Sequence, residues 1–510
     1  MSTLVARICR IPGIAHAFLC AYCGILFFYG INAGCFYRTE GLRAIVAAEA
    51  LRSGNWVVPR LYGEPLLTKP PAHYAAIALA SLPAGRVTEW SARLPSALAA
   101  CTIVLLFYCW FAREQGRRAG FLAALIAPAS VAWFERVPSA EIDMVHLAWV
   151  VAALYCGYRA IACHELAERT AGWLWWTLAL LCVTAGVLTK WTTPLFFYAT
   201  LLPFLWWRGR LRALVSPSHL ASVVLGGAVV LTWVGAVVWQ VGAERLLTTL
   251  TLEALPKFLP GARPRGYPWR EMVLLPVRQL VANLPWTAFA VIAMSPKVSA
   301  TWNQPEKRLL TFFHCWLWPN LAFWSLIPNH APRHSFALAP AVAGLAALVW
   351  VKCISAQLRW PLPRLSAANA LTTTIVCILA AKLCYVALVL PERTRARQPQ
   401  KTGEILASLV PPGDDLHLFG VKDEGVLFYY GRPARRLSDP SALLSQDELL
   451  YCIITEPEWW QWHTRTQGET LAELHDEQGA LLLLVRMRFD PSRRPNQPDA
   501  PRPAERTAVW

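Results

Sequence analysis

Among residues 1–390 there is a single aspartate, Asp143. It follows Glu135-Arg136-Val137-Pro138-Ser139-Ala140-Glu141-Ile142 and opens an apolar run. An ionisable side chain at membrane depth is costly and is usually kept for function. The competing reading is a helix N-terminal charge that satisfies the helix dipole. Glu40 is the second candidate acid, just beyond an apolar run and before a helix-like stretch, where the bland role is again helix capping. Lys69 precedes Pro70-Pro71, which fix an extended segment and hold the ammonium in one place, as a point charge suited to a single phosphate. Arg333-His334 stand at the start of another apolar run. Two acids and several bases drawn from distant segments suit transfer from a phosphate leaving group to an activated hydroxyl. A carboxylate would act as base and the cations would hold the departing phosphate.

The elements that must position these groups are membrane helices. Of 510 residues, 55% are hydrophobic and 16% charged, with 25 Trp and 20 Phe. Soluble domains carry about 25% charged residues, so this balance excludes a soluble enzyme, a disordered chain and a fibrous one. Apolar spans are expected near 12–34, 91–111, 119–134, 143–160, 173–189, 193–207, 221–241, 280–296, 309–328, 335–352 and 369–390. The fold class expected is a polytopic α-helical membrane protein of about 11–13 transmembrane helices, with a small C-terminal α/β domain. Net charge splits along the chain. Residues 1–390 hold 33 Lys+Arg and 14 Asp+Glu; residues 391–510 hold 15 and 18. The bases are scattered over loops between spans, so nucleic-acid binding is not expected. Arg7 and Arg10, then Arg113, Arg117 and Arg118, then Arg208, Arg210 and Arg212, then Lys297, Lys307 and Arg308, then Arg359 and Arg364 fall on alternate loops. That alternation puts those loops inside and the tail outside the cytoplasm. The fourteen cysteines show no zinc-ligand spacing, and most read as small buried apolar residues.

Two long outer loops are expected, near 35–90 and 242–278. Both carry bases that the inside rule does not explain, among them Arg38, Arg43, Arg52, Arg60, Lys69, Arg86 and Arg93 in the first and Lys257, Arg263, Arg265 and Arg270 in the second. They suit either anionic lipid headgroups or phosphate-bearing ligands. Gly41–Ser53 reads as an amphipathic helix on the membrane surface, with Leu42, Ile45, Val46 and Leu51 on its apolar side. The domains expected are 1–390 in the membrane, 391–490 as an extracytoplasmic α/β domain and 491–510 as a disordered tail. Strands are expected at 416–421, 426–430, 449–454 and 481–485, with helices at 402–410 and 467–475.

Thr39-Glu40 through Lys69-Pro70-Pro71, followed by Ala92-Arg93-Leu94-Pro95-Ser96-Ala97-Leu98, resembles the first outer loop of the bacterial GT-C glycosyltransferases. That superfamily includes the protein O-mannosyltransferases and the lipid A aminoarabinose transferase. Leu188-Thr189-Lys190 with Pro194 looks like its later lysine motif, and Pro268-Trp269 with Leu284-Pro285-Trp286 like the end of its second large loop. Arg333-His334 with Pro340 is similar to its Arg-Tyr…Pro motif, and Phe428-Tyr429-Tyr430-Gly431-Arg432-Pro433 to a phrase of its extracytoplasmic domain.

The resemblance implies a bacterial inner-membrane enzyme that takes a hexosyl or pentosyl group from an undecaprenyl-phosphate donor, with inversion, to a lipid, glycan or protein acceptor. It implies Asp143 and Glu40 as catalytic acids. Lys69 and Arg333 would hold the donor phosphate, with Arg60, Arg93, Lys190 and His334 as further cationic candidates. The chain departs from the pattern at Thr39, where the family has aspartate, and at Thr68, where it has glutamate. No clear counterpart of the family's loop histidine lies in 261–268. These departures leave open whether a divalent metal is bound and make Glu40 a replacement base by inference. A flippase of lipid-linked sugars and an inactive polyprenyl-phosphate-binding relative are the alternatives.

Overall fold

The structure, a computed structural model, describes residues 12–37, 39–134, 136–166, 168–258, 269–327, 331–360, 365–419, 421, 423–436, 449–463, 466–476 and 479–489. The expected disordered tail, and Arg7, Arg10, Arg38, Glu135, Arg263, Arg265, Pro268 and Arg364, lie outside them. The chain forms two compact units. One comprises Met1–Ile31, Leu67–Ala76 and Arg93–Tyr385; the other comprises Asn32–Leu66, Ile77–Ala92 and Val386–Trp510.

Apolar helices build the first unit. Six described runs are long and apolar enough to cross a membrane: Glu89–Gln115, Ile142–Glu165, Arg169–Thr189, Pro217–Val241, Pro332–Ile354 and Ala367–Leu409. Shorter helices complete the unit, among them Thr193–Trp207 and Gln304–Ser325. Two expected spans are broken. The span 119–134 is the pair Arg117–Ile126 and Val131–Phe134, parted at Pro128. The span 280–296 is the end of Trp269–Ala282 followed by Trp286–Ile292, parted at Pro285. Proline lacks the N–H that would continue a helix and clashes with the preceding turn. Part of the expected loop 242–278 is itself helical, as Ala243–Phe258.

Apolar burial drives no association between helices already in lipid, so close packing must supply it. The small residues show where. A Cβ on Gly186 would come within 2.4 Å of Thr193 Oγ1, and one on Gly226 within 2.4 Å of Thr184 Oγ1. These glycines let Arg169–Thr189 approach both neighbouring helices. Fully buried aromatic rings cluster in the unit: Trp110 packs against Phe312, Phe313 and Tyr158 with ring centroids 5.3–5.4 Å apart. The outward face of Pro217–Val241 stays bare, with Trp239 91% exposed, as a lipid-facing helix requires.

The second unit holds a five-stranded sheet of order β4-β3-β5-β7-β6. Its strands are β3 (Leu416–Leu418), β4 (Ala434–Arg436), β5 (Leu450–Thr455), β6 (Thr466–His475) and β7 (Leu481–Phe489). β3 is parallel to β4 and β5, while β7 is antiparallel to β5 and β6. A separate hairpin joins β1 (Arg60–Leu61) to β2 (Glu64–Pro65).

Two expectations for the tail are corrected. Residues 467–475 form strand β6 and not a helix. Asp476 and Gly479 make a tight turn, with Asp476 Oδ1 accepting from the Ala480 N–H at 2.7 Å, and the turn folds the segment back onto β7. Strand pairing overrides the helix preference of its Glu, Leu and Ala residues. Residues 426–430 belong to the helix Glu424–Tyr430, not to a strand. Asp423 caps that helix by accepting from the Val426 N–H at 3.1 Å, and Gly431 ends it at φ 74°.

The expected surface helix forms as Glu40–Ser53, but its buried side is Gly41, Ala44, Val46, Ala47 and Ala50. Leu42, Ile45 and Leu51 are only partly covered. The small residues allow a close approach to the helix Glu424–Tyr430. A Cβ on Gly41 would lie 2.3 Å from the Glu424 carbonyl oxygen. The helix is therefore packed on protein along that side. The neighbouring residues are tied down as well. The Phe36 N–H donates to Tyr429 Oη at 3.1 Å, and that hydroxyl donates to Glu89 Oε1 at 2.6 Å. Burial, and then the Glu89 carboxylate accepting its proton, push the Tyr429 hydroxyl well above its ordinary value.

Candidate active site

Asp143 begins the helix Ile142–Glu165 in the first unit and is 5% exposed. Both of its oxygens are taken. Arg136 Nη1 donates to Oδ2 at 2.9 Å and Lys190 Nζ donates to Oδ1 at 2.8 Å. Lys190 comes from the end of the helix Arg169–Thr189, where the chain turns extended. Arg333, in the turn Pro332–Leu338, lies within electrostatic range of the same carboxylate. The Arg136 guanidinium also sits 5.8 Å from the centre of the Phe336 ring in that turn.

The segment leading into Asp143 is held from three sides. His73 Nε2 donates to the Ala140 carbonyl at 2.9 Å, Ser96 Oγ donates to the Glu141 carbonyl at 3.1 Å, and Lys382 Nζ donates to the Val137 carbonyl at 3.3 Å. These backbone acceptors precede the helix and would otherwise be left without partners in an apolar setting. His73 stands just after Lys69-Pro70-Pro71. The lysine-proline segment is thus anchored three residues before the aspartate. Lys69 is half-buried and its ammonium donates to the Thr68 carbonyl at 3.0 Å.

A second pair of cations flanks this segment. Buried Lys382 lies within electrostatic range of Arg93, and Arg93 Nη1 donates to the Ile31 carbonyl at 3.1 Å. His146, one helical turn beyond Asp143, meets the Thr192 hydroxyl at 3.4 Å through Nε2. The centre is one carboxylate among Arg136, Lys190 and Arg333, so it carries net positive charge. Such a centre favours an anion of phosphate type, and bidentate arginine with a point-charge lysine is a common phosphate-binding set.

The residues picked from the sequence separate. Asp143, Lys190 and Arg333 are together, and Lys69 and Arg93 belong to segments tied to that region. His334 serves its own turn, its Nδ1 accepting from the Ala331 N–H at 3.4 Å. Glu40 and Arg60 belong to the second unit. There Glu40 Oε2 accepts from the Tyr37 N–H at 3.0 Å at the start of its helix, and Arg60 Nη1 donates to the Gly63 carbonyl at 2.8 Å inside the β1–β2 hairpin.

Sequence reasoning did not single out Arg136, His73, Ser96, His146 or Lys382. Lys382 had a signal, a cation within the apolar run 369–390. His146 had another, the three-residue spacing from Asp143. His73 and Ser96 act through backbone carbonyls, which no side-chain motif announces.

No three His, Cys, Asp or Glu side chains among the described residues gather where they could hold a metal ion. The immediate neighbours of Asp143 are cations, so a divalent ion does not fit at this carboxylate as it is paired.

Residues 68–239 match the family described as dolichyl-phosphate-mannose-protein mannosyltransferase. The chain is 27% identical over 390 residues to an undecaprenyl phosphate-alpha-4-amino-4-deoxy-L-arabinose arabinosyl transferase 2 of Pseudomonas fluorescens (strain Pf0-1), a match covering 75% of this chain and 66% of the relative. It is 23% identical over 350 residues to the similarly named protein of Proteus mirabilis (strain HI4320), covering 68% and 61%. The matched stretches thus span less than two thirds of these relatives.

In fold, the chain is similar to ArnT from Cupriavidus metallidurans bound to undecaprenyl phosphate, with a TM-score of 0.72 at 15% identity over 95% of this chain and 99% of the other. The archaeal oligosaccharyltransferase AglB from Archaeoglobus fulgidus is a more distant likeness, with a TM-score of 0.52 at 12% identity over 84% and 64%. The chain thus resembles the GT-C membrane glycosyltransferases, in sequence over part of its length and in fold over nearly all of it.

Proposed function

We propose that the chain is a bacterial inner-membrane glycosyltransferase that moves a hexosyl or pentosyl group from a polyprenyl-phosphate donor to a hydroxyl of a lipid, glycan or protein. Transfer takes place with inversion at the outer face, and the C-terminal sheet domain lies outside the cytoplasm. The single observation that carries this reading is Asp143 held between Arg136 and Lys190 with Arg333 in range. Named relatives acting with undecaprenyl-phosphate sugars support the donor class.

At rest the two ion pairs occupy the carboxylate. An incoming donor phosphate competes for the same cations, because it offers more negative charge and more acceptor oxygens than one carboxylate. As Lys190 and Arg136 turn to the phosphate, Asp143 is released to act as a base. The acceptor hydroxyl oxygen then attacks the anomeric carbon and gives its proton to Asp143. The carbon–oxygen bond to phosphate breaks, and the leaving oxygen keeps the electron pair. Lys190, Arg136, Arg333 and Lys69 stabilise the departing polyprenyl phosphate. Single displacement on the face opposite the leaving group gives inversion. Glu40 acts as the cap of its own helix, and the catalytic base is Asp143.

The test is sugar transfer by the purified full chain in vesicles, given undecaprenyl-phosphate-linked sugars and candidate acceptors, with analysis of the anomeric configuration of the product. Release of undecaprenyl phosphate in step with an inverted product supports the proposal. Donor that crosses the bilayer unchanged, with no product formed, contradicts it.

A further inference from the structure

The first unit contains a second group of cations that sugar transfer does not use. A cavity of about 430 Å³ opens between the end of the helix Thr193–Trp207 and the start of Gln304–Ser325. Its walls include Trp207, Arg208, Gln304, Lys307, Arg308 and Thr311. Arg208 Nη2 donates to Glu165 Oε1 at 2.9 Å, and Arg308 Nη1 meets Glu165 Oε2 at 3.4 Å. One carboxylate is thus shared by two guanidinium groups, and half of their charge is left over. Lys307 is exposed and forms no ion pair among the described residues. The Arg308 Nε–H is buried and has no hydrogen-bond partner among the described residues. A buried donor without an acceptor is costly, and the cavity walls carry unspent positive charge.

The remaining walls are apolar. Trp207 is 74% exposed and its neighbour Trp206 69% exposed. Tryptophan is enriched where hydrocarbon meets headgroups. Arg208 follows the end of one helix and Lys307 and Arg308 lie in the first turns of the other, at helix ends that alternation of Lys/Arg assigns to the cytoplasmic side, where anionic lipids concentrate. A free phosphate would use the cations and leave the indoles idle; a lipid uses both.

We propose that this cavity binds the phosphodiester headgroup of an anionic phospholipid, with Lys307 and Arg308 on the phosphate and Trp207 along the glycerol and upper acyl chain. The site is independent of the donor centre at Asp143 and would hold a resident lipid of the surrounding bilayer.

The test uses the full chain, stripped of lipid in detergent, with native mass spectrometry after addition of dioleoylphosphatidylglycerol, dioleoylphosphatidylcholine or inorganic phosphate. Phosphatidylglycerol should stay bound and phosphatidylcholine should not. Lys307→Glu should reduce phosphatidylglycerol retention about fivefold or more, the worth of losing one cation near an anionic headgroup. Trp207→Ala, which removes an exposed wall without touching the charges, should reduce it too. Lys401→Glu, an exposed charge change in the other unit, should not. A melting curve for each variant separates lost binding from lost folding, and Trp207→Ala decides the matter if Lys307→Glu does not fold. Equal retention of phosphatidylglycerol and phosphatidylcholine, or undiminished retention in the folded variants, would overturn the proposal. So would displacement of phosphatidylglycerol by an equal concentration of inorganic phosphate, which would mark a free-phosphate site.

Discussion

Lys190 and Asp143, 47 residues apart in the chain, meet at 2.8 Å with both side chains more than nine-tenths buried. Taking two charges out of water is expensive, and the geometry must repay the cost. Here Arg136 supplies a second partner to the same carboxylate. Lys190→Met should therefore destabilise the protein by roughly 3 kcal/mol, because it leaves a buried carboxylate with one cation in place of two. Asp143→Asn combined with Lys190→Met should cost less than the two single changes added together. Melting of all three variants in one detergent measures the coupling, and strictly additive losses would show that the pair is not coupled.

Lys69 is expected to contact the donor phosphate when the lipid is bound. Lys69→Ala should lose a charge-assisted contact of about 1.5–3 kcal/mol, which is roughly tenfold or more in donor use. Lys69→Arg should restore only part of it, since a planar fork differs in shape from an ammonium. Steady-state kinetics against donor concentration reads this directly, and unchanged donor dependence in Lys69→Ala would remove Lys69 from the phosphate site.

Lys382 holds the Val137 carbonyl on the approach to Asp143. In the proposed reaction this contact positions the aspartate, so Lys382→Met should lower turnover about tenfold to a hundredfold through its misplacement. The donor KM should move little, because the cations around Asp143 remain. A change confined to KM would instead make Lys382 part of the donor contact.

Much of the site was legible in the sequence because charge is rare in this chain's membrane body. One aspartate in 390 residues stands out, and so does a lysine locked before two prolines. Pairing was less legible. The lysine motif suggests a phosphate ligand, and nothing in Leu188-Thr189-Lys190 says that the resting partner of Lys190 is Asp143. Glu40 looked like half of a catalytic pair, yet its carboxylate accepts a backbone N–H three residues upstream, as a helix cap does. The helix Glu40–Ser53 was visible from its composition, but its partner was not. The closeness permitted by Gly41 is set by the distant helix Glu424–Tyr430. In the tail, Gln467–His475 has helix-forming residues, and its turn and its pairing with β7 make it a strand.

That packing gives a stability prediction. A methyl group at Gly41 would meet the Glu424 backbone, which cannot swing aside as a flexible side chain could. Gly41→Ala should cost about 1–3 kcal/mol, the usual range for overpacking. Gly54→Ala, where the added Cβ meets nothing within 4 Å but φ is 69°, should cost less than Gly41→Ala, through backbone strain alone. Thermal unfolding of the two variants side by side checks the order, and the reverse order would contradict the close helix contact.

In the proposed reaction Asp143 is the base. Asp143→Asn keeps the size of the side chain and an acceptor for one cation but cannot take a proton. The measurement is single-turnover sugar transfer by purified Asp143→Asn and Glu40→Gln at saturating undecaprenyl-phosphate sugar, with donor binding followed in parallel. Turnover should fall on the order of 10²–10⁴-fold in Asp143→Asn, the usual worth of a positioned base. Donor binding should persist, and Glu40→Gln should stay within about tenfold of the wild type, as a change at a helix cap does when the fold holds. Near-normal turnover in Asp143→Asn, with or without a large loss in Glu40→Gln, would show that Asp143 is not the base.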